Sequence, residues 1–280
     1  MAGRIGLIAG NGALPRMFAR AARSRGLAVI AVGHVGETDP ELASEVERLD
    51  WVKVGQVARI ERLLRDQGVE EAVLAGGFSR MRAVQQMRPD LGLFRIAARL
   101  RSFRDDALLR AAADEFQSAG IRIVAPTELL REILAPEGHL AGPPLDEAQE
   151  RDVALGEEVA GLLGQADVGQ TVVVKNGHVL ALEAVEGTDA CIRRGAELGG
   201  PGVVVVKRSK PGQDERFDLP AVGPATLEVL RSAGARVLAV EGGKTLLLEG
   251  DRLLALANES GITLVGRLAG PRAKKGARTG

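Results

Sequence analysis

Short apolar runs that stop at glycine and lead into helix-like segments recur through the first 135 residues, and no other feature constrains the fold as tightly. Arg4 to Ala9 reads as a buried strand, followed by the turn Gly10-Asn11-Gly12-Ala13-Leu14-Pro15. Pro15 suits the first turn of a helix running to about Arg25, with Gly26 as its stop. The pattern repeats: a strand over Leu27–Val32, a helix over Gln56–Gln67 stopped by Gly68, and a strand over Glu71–Ala75 ending in Gly76-Gly77. A helix over Asp105–Ala119 and a strand over Ile121–Val124 complete it. Continuous apolar strands alternating with helices need both sheet faces covered, which predicts a Rossmann-like parallel sheet.

The second half breaks that rhythm. Residues 136–146 hold three Pro and two Gly, so no regular element is expected there. This segment is the predicted linker between an N-terminal domain over 1–135 and a C-terminal domain over 147–268. A helix should begin near Asp146, with Leu155, Val159 and Leu162 on one face. Thr171–Val174 and Val179–Leu182 flank Asn176-Gly177, a strong hairpin signal. Helices over 187–198, 224–231 and 251–259 then alternate with strands over 203–206, 236–240, 244–248 and 262–265. The expected fold is a second, mixed α/β domain. Residues 269–280 carry four basic and no acidic side chains and read as a disordered basic tail.

Composition narrows the function classes. The 37 Lys and Arg balance 37 Asp and Glu, and aromatic residues make up 2%, with one Trp and no Tyr. A basic nucleic-acid binder with stacking platforms is therefore not expected. Cys191 is the single cysteine, which excludes an intrachain disulfide and a cysteine zinc site. No stretch approaches 18 uninterrupted apolar residues, and the N-terminus lacks a signal-peptide layout, so a cytoplasmic protein is expected.

Several segments have the residue types for chemistry. Gly10-Asn11-Gly12, between strand and helix, suits an anion, although Pro15 stands where the dinucleotide fingerprint needs its third Gly. The ordinary structural reading is a tight turn. Gly76-Gly77 ends another strand and would share its crevice if the two strands are neighbours. Residues 80–104 carry seven Arg against Asp90 alone. Arg95 and Arg99 are expected to serve a membrane or a sugar phosphate, with Leu93, Ile96 and Leu100 packed or touching acyl chains. A solvated face is the competing reading. Asp105-Asp106 suits a helix N-terminus. In Glu183–Asp189, Thr188 and Asp189 suit helix caps, or Asp189 and Glu186 a metal. Lys207-Arg208-Ser209-Lys210 follows a buried strand and precedes Asp218 in a Pro-rich turn, a constellation suited to a polyphosphate beside one carboxylate.

Five ordered blocks together resemble one family. They are Gly6–Pro15 (GLIAGNGALP), Asp105–Arg110 (DDALLR), Asp167–Gln170 (DVGQ), Val179–Asp189 (VLALEAVEGTD) with Arg193-Arg194, and Lys207 with Lys210-Pro211, Phe217–Gly223 (FDLPAVG) and Thr226. The sequence resembles the two-domain, metal-dependent UDP-2,3-diacylglucosamine pyrophosphatases of lipid A biosynthesis over nearly all of the chain. Arg104 and Cys191-Ile192 depart from the usual residues there. The resemblance implies hydrolysis of UDP-2,3-diacylglucosamine to UMP and 2,3-diacylglucosamine 1-phosphate, at a site between the domains, with magnesium (Mg2+). It places the essential aspartate, also the metal ligand, at Asp218, with Asp189 as a second catalytic candidate. Substrate contacts are expected at Gly10, Asn11, Gly12, Gly76, Gly77, Asp105, Gln170, Thr188, Lys207, Lys210 and Thr226. Peripheral contact with the inner leaflet and a homodimer stay open. The competing reading is a nucleotide-sugar or acyl-lipid binding protein without hydrolysis. A dinucleotide-dependent oxidoreductase is the third reading, and Pro15 weakens it.

Overall fold

The computed structural model describes residues 3–78, 88–99, 105–210, 214–217 and 219–268, with residues 99 and 105–108 described by their backbone alone. Asp218, Leu100, Arg104 and the basic tail are outside the described residues. The chain divides into two compact units, one of Met1–Glu132 with Asp214–Asp218 and one of Ile133–Gln213 with Leu219–Gly280.

Unit 1 is built on a five-stranded sheet. Its strands are β1 (Arg4–Ala9), β2 (Ala28–His34), β3 (Arg48–Val52), β4 (Glu71–Ala75) and β5 (Arg122–Val124), in the order β3-β2-β1-β4-β5. Every pairing is parallel. Its helices are α1 (Leu14–Ser24), α2 (Val57–Arg65), α3 (Leu91–Arg99) and α4 (Asp105–Ser118). β1 and β2 are buried along nearly their whole length, as expected for central strands covered on both faces. The core joins Ile8, Ile30, Val32, Leu64, Phe116 and Ile123, with Phe217 packed against it. The strand order reverses at β1, so β1 and β4 flank the switch point where open α/β sheets bind ligands.

Unit 2 holds a six-stranded sheet in the order β6-β13-β11-β9-β7-β8 and a small parallel pair, β10 with β12. The strands are β6 (Gly138–Ala141), β7 (Thr171–Lys175), β8 (His178–Leu182), β9 (Val204–Lys207), β10 (Ala221–Val222), β11 (Val237–Glu241), β12 (Leu246–Leu247) and β13 (Thr263–Arg267). β9, β11 and β13 run parallel, whereas β7, β8 and β6 pair antiparallel with their neighbours. The helices are α5 (Glu147–Gln165), α6 (Thr188–Gly199), α7 (Pro224–Ser232) and α8 (Gly250–Ser260). Among the described residues no helix is long and apolar enough to cross a membrane.

One sequence expectation is corrected here. Residues 136–146 are not devoid of regular structure, because Gly138–Ala141 form β6, paired with β13. The prolines flank this short edge strand rather than interrupt it, and an edge position tolerates them. The Asn176-Gly177 hairpin is present, with both residues at positive φ (51° and 74°). It is anchored from α5: the buried Asp152 carboxylate accepts from Asn176 N at 2.8 Å and Gly177 N at 2.7 Å. Asp152→Ala leaves both donors without their acceptor. It is expected to cost about 3 kcal/mol, a drop of roughly 6–12 °C in the melting of unit 2, measurable by calorimetry.

Candidate active-site regions

The two glycine turns of unit 1 meet, because β1 and β4 are neighbours. Gly10 N donates to Ala75 O (2.8 Å), Asn11 N to Gly77 O (2.8 Å) and Gly77 N to Asn11 O (3.2 Å). A Cβ on Gly10 would stand 2.3 Å from Gly77 O, and one on Gly76, at φ +93°, would stand 2.4 Å from Asn11 O. Gly10, Asn11, Gly76 and Gly77 thus form one junction. Their closeness has a consequence the sequence does not reveal: the Gly10 and Asn11 N–H groups close on β4 and are not turned to an anion. Gly12 is different. It has φ +87° and open space around its Cβ position, at the entrance to α1, whose first-turn N–H groups lack intrahelical acceptors.

A polar web supports the junction. The Asn11 side-chain amide donates to Glu37 Oε2 at 2.7 Å. Ala9 O accepts from Thr38 Oγ (2.6 Å) and His34 Nδ1 (2.9 Å), and the His34 ring stands edge-on to Phe78 with centroids 4.8 Å apart. Burial lowers the His34 pKa, so its imidazole is neutral at pH 7 and donates through Nδ1.

In unit 2, four of the expected site residues and Glu183 gather at one end of the large sheet. Thr171 and Lys207 are cross-strand partners, as are Val240 and Lys207, so the carboxyl ends of β9 and β11 lie beside the start of β7. Lys207 is buried, and its Nζ donates to Ala221 O at 3.2 Å, just before the α7 N-terminus that carries Thr226. Arg208 N bonds Gln170 O at 2.9 Å, and Lys210 Nζ meets Asp167 Oδ1 at 3.0 Å. The DVGQ segment and the cationic segment are therefore parts of one structure. Thr188 Oγ donates to Glu183 Oε1 at 3.0 Å and lies 3.3 Å from Thr171 Oγ. Among the described residues, Gln170 Oε1, Glu183 Oε2 and Thr245 Oγ are buried in unit 2 without a hydrogen-bond partner.

Other expectations are revised. Neither Thr188 nor Asp189 caps α6, since Gly187 holds the cap position at φ 83° with no side-chain cap bond. Asp189 is exposed in the first turn. Glu186 accepts from its own backbone N–H, from Arg194 and from Ala184 N, and these hydrogen bonds hold its carboxyl below the usual range. Asp105 begins α4, and its side chain lies outside the described residues. Cys191 is packed: burial pushes its thiol up to about 12. Glu241 did not stand out in the sequence. It is buried at the end of β11 and accepts from Ser209 N (2.9 Å) and Ser209 Oγ (3.0 Å), fixing the root of the cationic segment. Its one sequence signal is a lone acid ending an apolar strand.

Arg95, expected to serve a membrane or a sugar phosphate, is paired within unit 1. It binds Glu115 through Nε and Glu61 at 3.4 Å. On the same helix Ile96 is buried, while Leu91 and Phe94 are exposed. Burial, together with the nearby Glu115 charge, raises Glu61 from 4.5 to about 7. The folded protein therefore keeps a proton on Glu61 that the unfolded chain releases. Its contribution to stability is complete below pH 4.5 and is lost as pH rises through about 7. Glu61→Gln should remove this slope and raise stability at pH 8 by roughly 1–2 kcal/mol, with little gain at pH 5. Urea unfolding at the two pH values checks it.

Among the described residues, no group of three or more His, Cys, Asp or Glu side chains could hold a metal ion. These residues alone do not complete a magnesium site, and Asp218 is outside them.

The family comparisons agree along the chain. Residues 4–133 match the model of the LpxI N-terminal domain and residues 136–265 that of the LpxI C-terminal domain. A relative, the UDP-2,3-diacylglucosamine pyrophosphatase LpxI of Caulobacter vibrioides, is 36% identical over 245 residues, covering 82% of this chain and 85% of that protein. Among solved structures, gox2253 aligns over 94% of this chain and 77% of its own at 12% identity, with a TM-score of 0.34. The biotin carboxylase subunit of pyruvate carboxylase aligns over 74% of this chain and only 38% of its own at 15% identity, with a TM-score of 0.26. Likeness at that level carries no argument. The two domain matches and the Caulobacter relative show that the chain belongs to the LpxI family.

Proposed function

We propose that this protein hydrolyses the pyrophosphate bond of UDP-2,3-diacylglucosamine, releasing UMP and 2,3-diacylglucosamine 1-phosphate for lipid A biosynthesis. The observation that carries this reading is the 36% identity over 82% of the chain to a relative of that name. The chemistry of the described residues suits it. Cleaving a pyrophosphate requires charge neutralisation on its oxygens and an oriented water. Lys207 and Lys210 bring positive charge to the carboxyl end of the unit 2 sheet, and Gln170, Thr188 and Thr226 supply polar contacts around them. Gly12 and the first turn of α1 offer backbone donors in unit 1. Asp218 and Asp189 are the carboxylates assigned to catalysis, with Asp218 also assigned to magnesium. When bound, that ion would supply further charge neutralisation on the pyrophosphate. An amphiphilic substrate suits a cytoplasmic enzyme in peripheral contact with the inner leaflet.

The direct test is incubation of purified protein with UDP-2,3-diacylglucosamine in mixed micelles, with magnesium or with chelator. UMP formation that depends on magnesium is the expected result. Substrate binding without UMP release under either condition would replace the hydrolase by a binding protein.

A further inference from the structure

The only tryptophan of the chain lies in a cavity that none of the site assignments above includes. Trp51 lies in β3 and, with Val35, Val52, Lys53, Gln56, Arg59 and Arg88, lines a pocket of about 380 Å3 within unit 1. The pocket is at the carboxyl ends of β2 and β3, where Val35 N bonds Val52 O at 2.9 Å. That is the edge from which the Gly10–Gly12 turn leaves β1, and the edge where open α/β sheets place ligands.

Lys53, Arg59 and Arg88 stand out in unit 1 because all three line one cavity. Arg16, Arg20, Arg48, Arg95 and Arg122 are each paired with carboxylates. No ion pair ties Lys53, Arg59 or Arg88 to a carboxylate among the described residues, although all three line one cavity. Asp90, the nearby acid, uses its oxygens on the backbone N–H groups of Arg59, Gly92 and Leu93. With Asp90 as the one carboxylate beside them among the described residues, three cations around one cavity leave it net positive, and an anion in the pocket would offset that charge. Trp51 is half-buried and sits on Gly33, where any Cβ would come within 3.1 Å of its ring. It adds an aromatic surface of the kind that stacks on a planar base. The volume lies near the lower end of the ~300–1,000 Å3 usual for small-molecule pockets. It is large enough for a mononucleotide, with Val35, Trp51 and Val52 as an apolar side for the base and the three cations for the phosphate.

We propose that this pocket binds the uridine phosphate end of the substrate, with Trp51 against the base and Lys53, Arg59 and Arg88 around the phosphate. The proposal rests on the pyrophosphatase reading for the identity of the nucleotide, and it adds the place where that nucleotide is held.

Because Trp51 is the sole tryptophan, intrinsic fluorescence of the full chain reports on this pocket directly. Titration of wild type with UMP should give a saturable change, with uridine and inorganic phosphate each binding more weakly. The exposed pair Lys53→Ala/Arg59→Ala should melt like wild type and bind UMP at least ~10-fold more weakly, about 1.4 kcal/mol. With UDP-2,3-diacylglucosamine its KM should rise more than its kcat falls, as expected for binding that is equal in ground and transition states. A flat UMP titration, or a double variant that binds UMP and substrate as wild type does, overturns the proposal while wild-type UMP release leaves the hydrolase reading standing. Inorganic phosphate matching UMP in both affinity and amplitude also overturns it, since the pocket would then be a plain anion site. If wild type releases no UMP from substrate, the hydrolase reading fails, and the UMP titration alone decides the pocket.

Discussion

Asp218→Asn should leave the melting temperature unchanged and lower UMP release by about 10²–10⁴-fold. The exchange keeps the side-chain shape and removes the charge, so a residue acting through its carboxylate loses function while the fold is spared. The case rests partly on what other acids of the chain already do. Asp214 is gripped by Arg216 through both oxygens, and that hydrogen bonding holds its carboxyl below the usual range. Glu186 is bound to Arg194, and Glu241 is occupied with Ser209. Lys207 and Lys210 can neutralise a pyrophosphate, but neither can accept a proton from water while charged. The variant should still bind UMP, because the lysines and the unit 1 pocket are untouched. A folded Asp218→Asn protein with turnover within a few-fold of wild type would end the assignment. Asp189, and then Glu183 with its unpartnered buried Oε2, would be the next residues to exchange.

Where a strand is buried on both faces, its composition alone reveals it, and β1, β2 and β4 were legible for that reason. β3 was not. It is an edge strand with mixed burial, and Arg48 pairs with Asp50 two residues on, so it alternates charge where a central strand would be apolar. β6 was hidden differently: four residues between prolines gain their hydrogen bonds from β13, a partner more than a hundred residues away. Non-local pairing of that kind leaves no periodic trace.

The candidate sites divide along the same line. The glycine turns, the DVGQ segment and the Lys207–Lys210 run were visible because each is contiguous. That the last two are joined, through Arg208 N to Gln170 O and Lys210 to Asp167, is a property of β7 lying beside β9. The pocket around Trp51 was illegible because its cations come from the end of β3, from α2 and from the segment before α3. In sequence each is an ordinary surface charge, and only the fold brings three of them around one cavity. Arg95 shows the converse. It belongs to a run of arginines that suggests anion binding, yet it is already paired with Glu115 and in contact with Glu61.

Two glycines of one turn should respond differently to the same substitution. Gly10→Ala puts a methyl group 2.3 Å from Gly77 O, a backbone atom that cannot move without opening the junction between β1 and β4. The expected cost is roughly 3 kcal/mol or more, seen as a fall of roughly 6–12 °C in the melting of unit 1. Any loss of activity should follow the loss of folded protein. Gly12→Ala meets nothing within 4 Å, and its only penalty is the positive φ of 87°, worth roughly 1–2 kcal/mol for a residue with a Cβ. If that turn contacts the phosphates, the added methyl group and the altered backbone should reduce turnover well beyond this modest destabilisation. Gly12→Val, with a branched side chain, should reduce it further. Thermal unfolding and UMP release measured on the same preparations separate the two cases. A Gly12→Val protein that melts near wild type and retains full activity would make the turn purely structural, held for the sake of Gly10 and Gly76.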